Sequence, residues 1–394
     1  MRYIRRDIED ELQAASRLFA ALIITGPRRA GKTTLLRRLF SKASYVLLED
    51  PDVVARVRSD PRGFLHDLKL PVILDEIQNT PELLSYIRTH IDLHPRLKGQ
   101  WFITGSQEAP LMKGVTESMA GRAALFTLLP LSCVESPKVS MFYGGFPEVL
   151  AKPRVANIWY RSYVQTYLER DVRQIGAIRD LATFRRFIAL VASRNGQVLN
   201  RTDFATALGM SVPTISQWLG ILEMTAQIHL VPPFYEDLGK RLIKSPKLYF
   251  VDSGLLCYLL GIDSAKALER SPFLGSIFEG FVASEFVKQQ INGGRQRAIY
   301  FFRDQQGLEV DFLVPGGDKK LMLVEAKVSR TATPHMATSL ERLGKTLAGY
   351  EVKKVLVYRP IGERTQHGTL RPGIKAMALH DALRMIPGHH GLET

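Results

Sequence analysis

One segment, GPRRAGKT at residues 26–33, constrains the fold more than any other part of the sequence. It follows the apolar run ALIIT and leads into the helical pattern TTLLRRLF. Two glycines permit a tight backbone path, and the N–H groups of such a loop, together with the N-terminus of the next helix, can hold phosphate groups. The pattern G-x-x-x-x-G-K-[ST] between a strand and a helix therefore predicts a phosphate-binding loop in an α/β fold.

Each part of this loop has a predicted task. Lys32 would reach the β- and γ-phosphates of a nucleoside triphosphate, and the Thr33 hydroxyl would ligate Mg²⁺. We therefore predict that ATP and Mg²⁺ bind here. The predicted nucleotide-binding residues are Gly26, Pro27, Arg28, Arg29, Ala30, Gly31, Lys32, Thr33 and Thr34.

A second apolar run, VILDE at residues 72–76, ends in two acidic residues. At the carboxyl end of a buried strand, Asp75 can hold Mg²⁺ through water, and Glu76 can polarise an attacking water molecule. Thr104, in FITGS, ends the next predicted strand and can orient that water; the alternative is that it only caps the strand end. The two acids predict a site of nucleotide hydrolysis beside the loop.

The order of apolar runs predicts the domain organisation. Short apolar strands alternate with helical stretches over residues 1–130, as in a parallel sheet covered on both faces. A mostly helical stretch follows, and near Lys240 a region begins in which a helix leads into consecutive strands. The predicted strands of the first region are 21–25, 44–49, 71–76, 100–106 and 123–131, and the predicted domains are 1–135, 136–239 and 240–394.

Residues 198–231 contain two short helical patterns separated by a turn at Gly209 and Met210. Ser211 suits the N-cap of the second helix, and Pro213 suits its first turn. This unit resembles the helix-turn-helix of winged-helix domains, which implies that its second helix enters the major groove of DNA. Small three-helix units also serve as ATPase lids or protein contacts, so that alternative stays open. The residues that the resemblance places near DNA are Thr214, Ser216 and Gln217.

Acidic residues interrupt the apolar patterns of the last region. Glu279 lies in a helical pattern, Asp311 in the strand LEVDFLV, and Glu325 in LMLVEAKVS. Lys327 lies two residues after Glu325, so both side chains project from one face of one strand. Two carboxylates on a divalent ion with an ammonium nearby suit metal-assisted phosphodiester hydrolysis. The alternative is that Asp311 caps a turn and Glu325 pairs with Lys327.

Taken together, the motifs resemble an AAA+-type P-loop ATPase, and in particular a prokaryotic family in which such an ATPase is fused to a C-terminal uncharacterised domain of the DUF4143 type. In AAA+ proteins an arginine just before the last core strand often reaches the nucleotide of a neighbouring subunit. By this resemblance Arg122 would act in a homo-oligomer, for which a ring is one form; the alternative is an ordinary solvated arginine. The motifs that carry the resemblance are GPRRAGKT, ILDEIQ, FITGS, AGR at 120–122, LERDV at 168–172, YFVDSGL at 249–255, EVDF and EAK.

The C-terminal set resembles the PD-(D/E)xK core of restriction-endonuclease-like domains. The resemblance implies that Asp311 and Glu325 ligate Mg²⁺, with Mn²⁺ as an alternative ion, and that Lys327 stabilises charge. Glu279 would be the acid contributed by the helix. Val310 stands where a proline often precedes the acid, and the same core can bind DNA without cutting it. The implied fold class is α/β, with an AAA+-type parallel sheet domain, a helical, winged-helix middle and a restriction-endonuclease-like α/β domain.

Composition limits the partners and the compartment. The formal net charge of +14 favours a polyanionic partner such as DNA, although a basic protein need not bind one. Cys133 and Cys257 are too few for a disulfide framework or a thiolate metal cage, which predicts a reducing compartment. No apolar run approaches the ~18 residues of a membrane span. We therefore expect a cytoplasmic protein without a membrane partner.

Two functions fit these patterns. The first is an ATP-hydrolysing DNA-binding protein in which ATP hydrolysis is coupled to metal-dependent DNA cleavage. The second is a nucleotide-dependent switch whose C-terminal domain binds DNA or protein without cleaving it. The intact set of acids and lysine favours the first function, because an interaction module has no need of that set.

Overall fold

The computed structural model describes residues 3–105, 119–168, 180–234, 244–317, 319–360 and 368–386. In this part of the chain, no helix has both the length and the apolar character needed to cross a membrane. Ser106 of the FITGS motif and residues 169–172 of the LERDV motif lie outside the described residues.

The N-terminal region alternates helices and strands in the predicted order. Its elements are α1 (Glu9–Leu18), β1 (Ala21–Thr25), α2 (Lys32–Leu39), β2 (Ser44–Leu47), α3 (Pro51–Ser59), α4 (Pro61–His66), β3 (Val72–Asp75), α5 (Leu83–Leu93), β4 (Trp101–Thr104) and β5 (Ala123–Thr127). The strands lie in the order β2-β3-β4-β1-β5, and every neighbouring pair is parallel. The predicted parallel sheet is therefore confirmed.

The sheet buries both of its faces because its central strands are apolar at nearly every position. Along β1, Ile23 joins the core beneath α3, α4 and α5, whereas Leu22 and Ile24 join the core beneath α1 and α2. Parallel strands end at the same edge of a sheet, and ligands of such sheets bind at that edge. Asp75 and Thr104, at the ends of β3 and β4, therefore lie at the edge from which the phosphate loop leaves β1.

The middle region is mainly helical and contains a two-stranded hairpin. Its elements are α6 (Pro147–Ala151), α7 (Ala156–Tyr163), which continues as a π-helical turn (Val164–Leu168), α8 (Leu181–Ser193), α9 (Arg201–Leu208), α10 (Val212–Met224), β6 (Ile228–Val231), β7 (Lys247–Phe250), α11 (Ser253–Leu259) and α12 (Ala265–Glu269). Gly209, with a φ of 65°, ends α9, and the Ser211 hydroxyl caps α10 by accepting the Thr214 N–H at 3.2 Å. Both predicted helices and their turn are present.

The hairpin crosses the predicted domain boundary at residues 239 and 240. Strand β6 lies before this boundary and β7 after it, yet the two strands pair antiparallel from Ile228–Phe250 to Val231–Lys247. Tyr249 of β7 also packs into the core of the C-terminal region. The hairpin thus belongs to the middle region through β6 and contacts the C-terminal region through β7.

The C-terminal region contains a mixed sheet. Its elements are α13 (Leu274–Asn292), β8 (Tyr300–Arg303), β9 (Glu309–Pro315), β10 (Lys320–Lys327), α14 (Thr338–Gly344), β11 (Glu351–Tyr358), β12 (Gly368–Arg371), β13 (Ile374–Ala378) and α15 (Leu379–Arg384). The strands lie in the order β12-β13-β11-β10-β9-β8. Strand β9 pairs antiparallel with both β8 and β10, whereas β10 pairs parallel with β11. The predicted hairpin from Asp311 to Glu325 is present, because Phe312 pairs with Val324 between them.

A buried ion pair fastens α13 to the segment that follows β5. The Lys288 ammonium lies 2.8 Å from Glu285 and donates to the Leu131 carbonyl at 3.1 Å. The other oxygen of Glu285 accepts the Cys133 N–H at 2.7 Å. The N-terminal and C-terminal regions are therefore connected through polar contacts as well as through the chain.

Candidate functional site

The phosphate loop follows a path that only glycine permits at its first position. Gly26 has a φ of 132°, and a Cβ atom there would lie 2.2 Å from the Leu128 carbonyl oxygen. Gly31 has a φ of 100° and forms the N-cap of α2. L-residues with a side chain rarely adopt either conformation. The two glycines of the motif are thus explained by backbone geometry.

Lys32 lies inside the loop and is almost fully buried. Its ammonium donates to the Gly26 carbonyl at 2.9 Å and to the Pro27 carbonyl at 3.0 Å. A cavity of about 580 Å³ opens over the loop, a size within the range of small-molecule sites. The cavity is lined by loop residues 28–34, by Glu49 and Glu76, by the N-terminal residues Tyr3, Ile4 and Arg6, and by Leu131, Pro147 and Glu148, among others.

Asp75 is the meeting point of three hydroxyl groups. Its carboxylate accepts the Thr33 hydroxyl at 2.9 Å and the Tyr45 hydroxyl at 2.8 Å, and it also accepts the Thr104 hydroxyl. Tyr45 and its role at this site were not predicted from the sequence. The contact between Thr33 and Asp75 brings together two oxygen donors of the kind that Mg²⁺ prefers.

Glu76 has an unusual backbone conformation. It has a φ of 62°, its N–H donates to the Thr104 hydroxyl at 3.2 Å, and its carboxylate accepts the Gln78 amide. Arg29, which lines the same cavity, has a φ of 64°. Non-glycine residues with positive φ concentrate at functional sites because the surrounding structure must hold them there. The conformations of Glu76 and Arg29 therefore favour this cavity as the candidate functional site.

Arg122 lies at the opposite edge of the sheet from the phosphate loop. It precedes β5, and its carbonyl accepts the N–H of Ala21, the first residue of β1. Its guanidinium forms two hydrogen bonds to Asp92, at 2.6 and 3.0 Å, and these lower the pKa of that carboxyl group. Because the loop leaves the far end of β1, Arg122 does not line the nucleotide cavity of its own chain.

Two side-chain contacts of the phosphate loop involve residues that are distant in sequence, and neither was predicted. Arg6 is buried, lies 2.8 Å from Glu135 and donates to the Ala30 carbonyl of the loop at 3.2 Å. Arg29 lies 2.9 Å from Glu148, whose other oxygen accepts the Trp159 indole N–H at 2.7 Å. The loop is thereby connected to the N-terminal segment and to the helical middle region.

The four predicted residues of the C-terminal site lie in one cluster, which we call the acid cluster. Lys327 lies 2.6 Å from Glu325 and 3.8 Å from Asp311, and Asp311 also accepts the Ala326 N–H at 2.9 Å. Glu279, on α13, joins them through the ammonium of Lys247, which lies 2.9 Å from Glu279 and 3.9 Å from Asp311. A helix and two strands therefore bring the predicted set together.

Three further members of the acid cluster were not predicted. Lys247 and Tyr249 project from the same face of β7, and the Tyr249 hydroxyl donates to Glu279 at 2.5 Å. Glu309 lies 2.5 Å from Lys247 and 3.4 Å from Arg303. One signal was available in the sequence, since a lysine at the start of the apolar strand KLYF needs a buried partner.

Burial determines the electrostatics of the acid cluster. Burial and the charge of Asp311 raise the pKa of Glu325 to about 8, and the same two causes raise the pKa of Glu279. Burial alone would lower the pKa of Lys247, but the surrounding carboxylates, led by that of Glu279, outweigh burial and raise it. Within the described residues, the Glu325 Oε2 atom is buried and has no hydrogen-bond partner. The Oε2 atom of Glu325 can therefore accept a proton or ligate a cation.

Both candidate sites contain oxygen donors of the kind that bind divalent ions. In the described ranges, no three His, Cys, Asp or Glu side chains are arranged so that they could hold one ion. Mg²⁺ usually keeps several water molecules and takes one or two protein carboxylates. Asp75 with Thr33, and Asp311 with Glu325, supply oxygen donors of that number and type.

Thr214, Ser216 and Gln217 lie on α10 as predicted. Gln217 is exposed and the other two are half-buried, whereas Ile215, Trp218 and Leu219 of the same helix are buried. The Thr214 hydroxyl lies 2.8 Å from the Ser211 hydroxyl at the start of the helix. The helix therefore presents polar side chains beside a face that packs in the core.

Three families match consecutive parts of the chain. The family described as AAA domain matches residues 19–136, and two domains of unknown function, DUF8612 and DUF4143, match residues 135–266 and 274–371. The first and last matches confirm the predicted AAA-type domain and the predicted DUF4143-type domain. They agree with the parallel sheet and its phosphate loop in the first region and with a separate mixed sheet in the last.

Similar proteins occur in bacteria and archaea. The uncharacterized protein Rv2008c of Mycobacterium tuberculosis is 32% identical over 343 residues, which are 85% of this chain and 76% of that protein. The uncharacterized protein MJ1544 of Methanocaldococcus jannaschii is 24% identical, over 91% of this chain and 86% of its own. Among solved structures, the Walker-type ATPase PABY2304 of Pyrococcus abyssi aligns with 64% of this chain and 94% of its own, at 16% identity and a TM-score of 0.46.

Proposed function

This chain belongs to one family with the mycobacterial protein Rv2008c, and from that premise we propose that it is an ATP-hydrolysing, DNA-binding enzyme whose C-terminal domain cleaves phosphodiester bonds with a divalent ion. The observation that carries the proposal is the convergence of residues from distant elements. Glu279, Asp311, Glu325 and Lys327 lie in one cluster, although they come from a helix and two strands.

ATP hydrolysis rests on the groups around the phosphate loop. The N–H groups of the loop and the Lys32 ammonium bind the phosphates, and Thr33 and Asp75 hold Mg²⁺, which supplies positive charge to the phosphate oxygens. Glu76 lines the same cavity and polarises the attacking water. Thr104 orients Glu76, because its hydroxyl accepts the Glu76 N–H.

The order of elements in the C-terminal region supports phosphodiester cleavage. Helix α13 is followed by three antiparallel strands, then by α14, and then by β11 parallel to the third strand. This order supports the restriction-endonuclease-like core that the motifs resemble. Asp311 and Glu325 would hold Mg²⁺ or Mn²⁺, which supplies an activated water and neutralises phosphate charge. Lys327 would then stabilise the negative charge of the transition state.

DNA binding is proposed for the helix-turn-helix and its hairpin. Helices α8, α9 and α10 followed by the β6–β7 hairpin have the element order of a winged-helix unit. The net charge of +14 provides long-range attraction to phosphates. Thr214, Ser216 and Gln217 would contact base edges or phosphates.

A homo-oligomer is proposed from the position of Arg122. Since this residue lies at the edge opposite the loop of its own chain, it could complete a nucleotide site only in a neighbouring copy. Asp92 holds the guanidinium in a two-bond contact until such a neighbour offers phosphates instead. A ring of subunits would place every Arg122 in this way.

A nucleotide-dependent switch without cleavage is the second candidate. One observation favours it: Lys247 already neutralises part of the acid cluster from within the chain. A domain of this kind would bind DNA or protein and leave phosphodiester bonds intact.

A substrate assay separates the two candidates. Linear, branched and single-stranded DNA would be incubated with the full chain and Mg²⁺ or Mn²⁺, beside the Asp311→Asn and Glu325→Gln variants. Glu351→Gln, which alters an exposed acid on β11, is the matched control. We expect cleavage by the wild type and the control but not by the two cluster variants. DNA binding without cleavage by the wild type would establish the switch instead.

A further inference from the structure

Lys247 occupies a central position in the acid cluster, and it comes from outside the C-terminal sheet. It is the first residue of β7, a strand of the hairpin in the middle region. Its side chain is 3% exposed, and its ammonium lies 2.5 Å from Glu309, 2.9 Å from Glu279 and 3.9 Å from Asp311. A buried lysine keeps its positive charge when carboxylates surround it.

The cluster divides into two halves about Asp311. In the first half, the Oδ1 atom of Asp311 faces Lys247, which also satisfies Glu279 and Glu309. In the second half, the Oδ2 atom faces Lys327, which contacts only one oxygen of Glu325. The other oxygen, Oε2, is the buried atom without a hydrogen-bond partner in the described part of the chain. Among the described residues of the cluster, a fully buried carboxylate oxygen without a hydrogen-bond partner is thus found in the second half alone.

We infer that Lys247 is the resident cation of the first half and limits the acid cluster to one divalent ion. This inference rests on the proposed metal site. Two divalent ions often share a set of carboxylates in enzymes that cleave phosphodiesters. Here the hairpin places the Lys247 ammonium against the carboxylate oxygens that a second ion would need as ligands. The number of ions is therefore decided by a residue of the middle region.

Binding of Mn²⁺ to the full chain without nucleotide tests the inference. The Asp75→Asn change is present throughout, so that the phosphate-loop site lacks the carboxylate proposed to hold Mg²⁺. Free Mn²⁺, measured by electron paramagnetic resonance, gives the number of ions bound per chain. We expect one ion for this parent and two for the same chain with Lys247→Met, because Glu279 and Asp311 lose their ammonium. Lys353→Met, on the exposed side of β11, should still bind one.

Each outcome has a distinct meaning. One ion for both the parent and Lys247→Met, with equal affinity, would overturn the inference but leave the proposed metal site intact. No ion for either would overturn both. Lys247→Arg, which keeps a cation, should bind one ion. If Lys247→Met fails to fold, the double variant with Lys247→Met and Glu309→Gln, which removes one charge of each sign, takes its place. Two bound ions in that variant would support the inference, and one would overturn it.

Discussion

The phosphate-loop site and the acid cluster contrast in how each stabilises its carboxylates. Asp75 accepts hydrogen bonds from three neutral hydroxyls, those of Thr33 in the loop motif, Tyr45 on β2 and Thr104 on β4. Asp311 instead lies between two ammonium groups, those of Lys247 and Lys327. Hydroxyls hold a carboxylate in place without opposing its charge, whereas ammonium groups neutralise it. The first arrangement leaves negative charge for a cation, and the second restricts how much cation charge can enter.

The largest expected effect would show that the two sites work separately. Glu76→Gln keeps the shape of the side chain but cannot polarise water, so ATP hydrolysis should fall by about 10²- to 10⁴-fold. ATP binding should persist. Cleavage of DNA should not require the Glu76 carboxylate, because the acid cluster consists of other residues. Glu82→Gln, an exposed acid nearby, is the control. Measured rates of ATP hydrolysis equal to those of the wild type would remove Glu76 from the mechanism.

A smaller effect should appear in the contribution of the acid cluster to the pH dependence of stability. Burial and Asp311 raise the pKa of Glu325 to about 8 from an ordinary value of 4.5. Between these pH values the folded chain binds a proton that the unfolded chain has lost, so stability falls as pH rises. One such proton gives a slope of up to about 1.4 kcal/mol per pH unit. The slope should shrink in Glu325→Gln.

Urea unfolding at several pH values between about 5 and 8 measures this slope. Glu351→Gln, which removes an exposed carboxylate of the same sheet, should keep the slope of the wild type. An unchanged slope in Glu325→Gln would mean that the unpartnered carboxylate oxygen does not govern the electrostatics of the acid cluster.

DNA affinity should respond to salt but not to the loss of the acid cluster. Phosphate contacts release counterions, so affinity should fall by at least about tenfold between about 50 and 200 mM salt. Asp311→Asn should bind DNA about as tightly as the wild type while losing cleavage. Fluorescence anisotropy of labelled duplex measures both effects. Weak binding that does not change with salt would mean that the positive net charge of the chain does not serve DNA binding.

The smallest expected signal distinguishes a site shared between subunits from one built within a chain. Mixing Arg122→Ala with Glu76→Gln should restore part of the ATP hydrolysis, because each variant supplies the group that the other lacks. Mixing Asp311→Asn with Glu325→Gln should restore no cleavage, since both acids lie in one chain. Light scattering gives the assembly state, and a fully active monomer would contradict the shared site.

Most residues that gather around the phosphate loop could be predicted from the sequence, because a motif or a general rule of parallel sheets places them. Lys32 and Thr33 follow from one motif, and Asp75 and Thr104 follow from the rule that parallel strands end at one edge. Arg6 shows the limit, because its contacts with Ala30 and Glu135 depend on how the N-terminal segment crosses the domain. No local pattern around residue 6 indicates such a contact.

The acid cluster was predicted only in part for the same reason. Asp311, Glu325 and Lys327 are related by a hairpin, whose geometry can be inferred from spacing. Lys247 reaches them through the pairing of β7 with β6 and the packing of β7 against the C-terminal core. That contact depends on the arrangement of two regions. It also explains why the boundary predicted at residue 240 separates two strands that pair.

The position of Lys247 bears on any attempt to dissect the protein by truncation. A fragment that begins where the DUF4143 match begins, at residue 274, would keep Glu279, Asp311 and Glu325 but lose the ammonium that satisfies the first half of their cluster. A fragment that begins at residue 240 would keep Lys247 but remove β6, which holds β7 in place. Only a fragment that starts upstream of β6 retains the whole hairpin, so the smallest portable unit of the acid cluster is larger than its sheet.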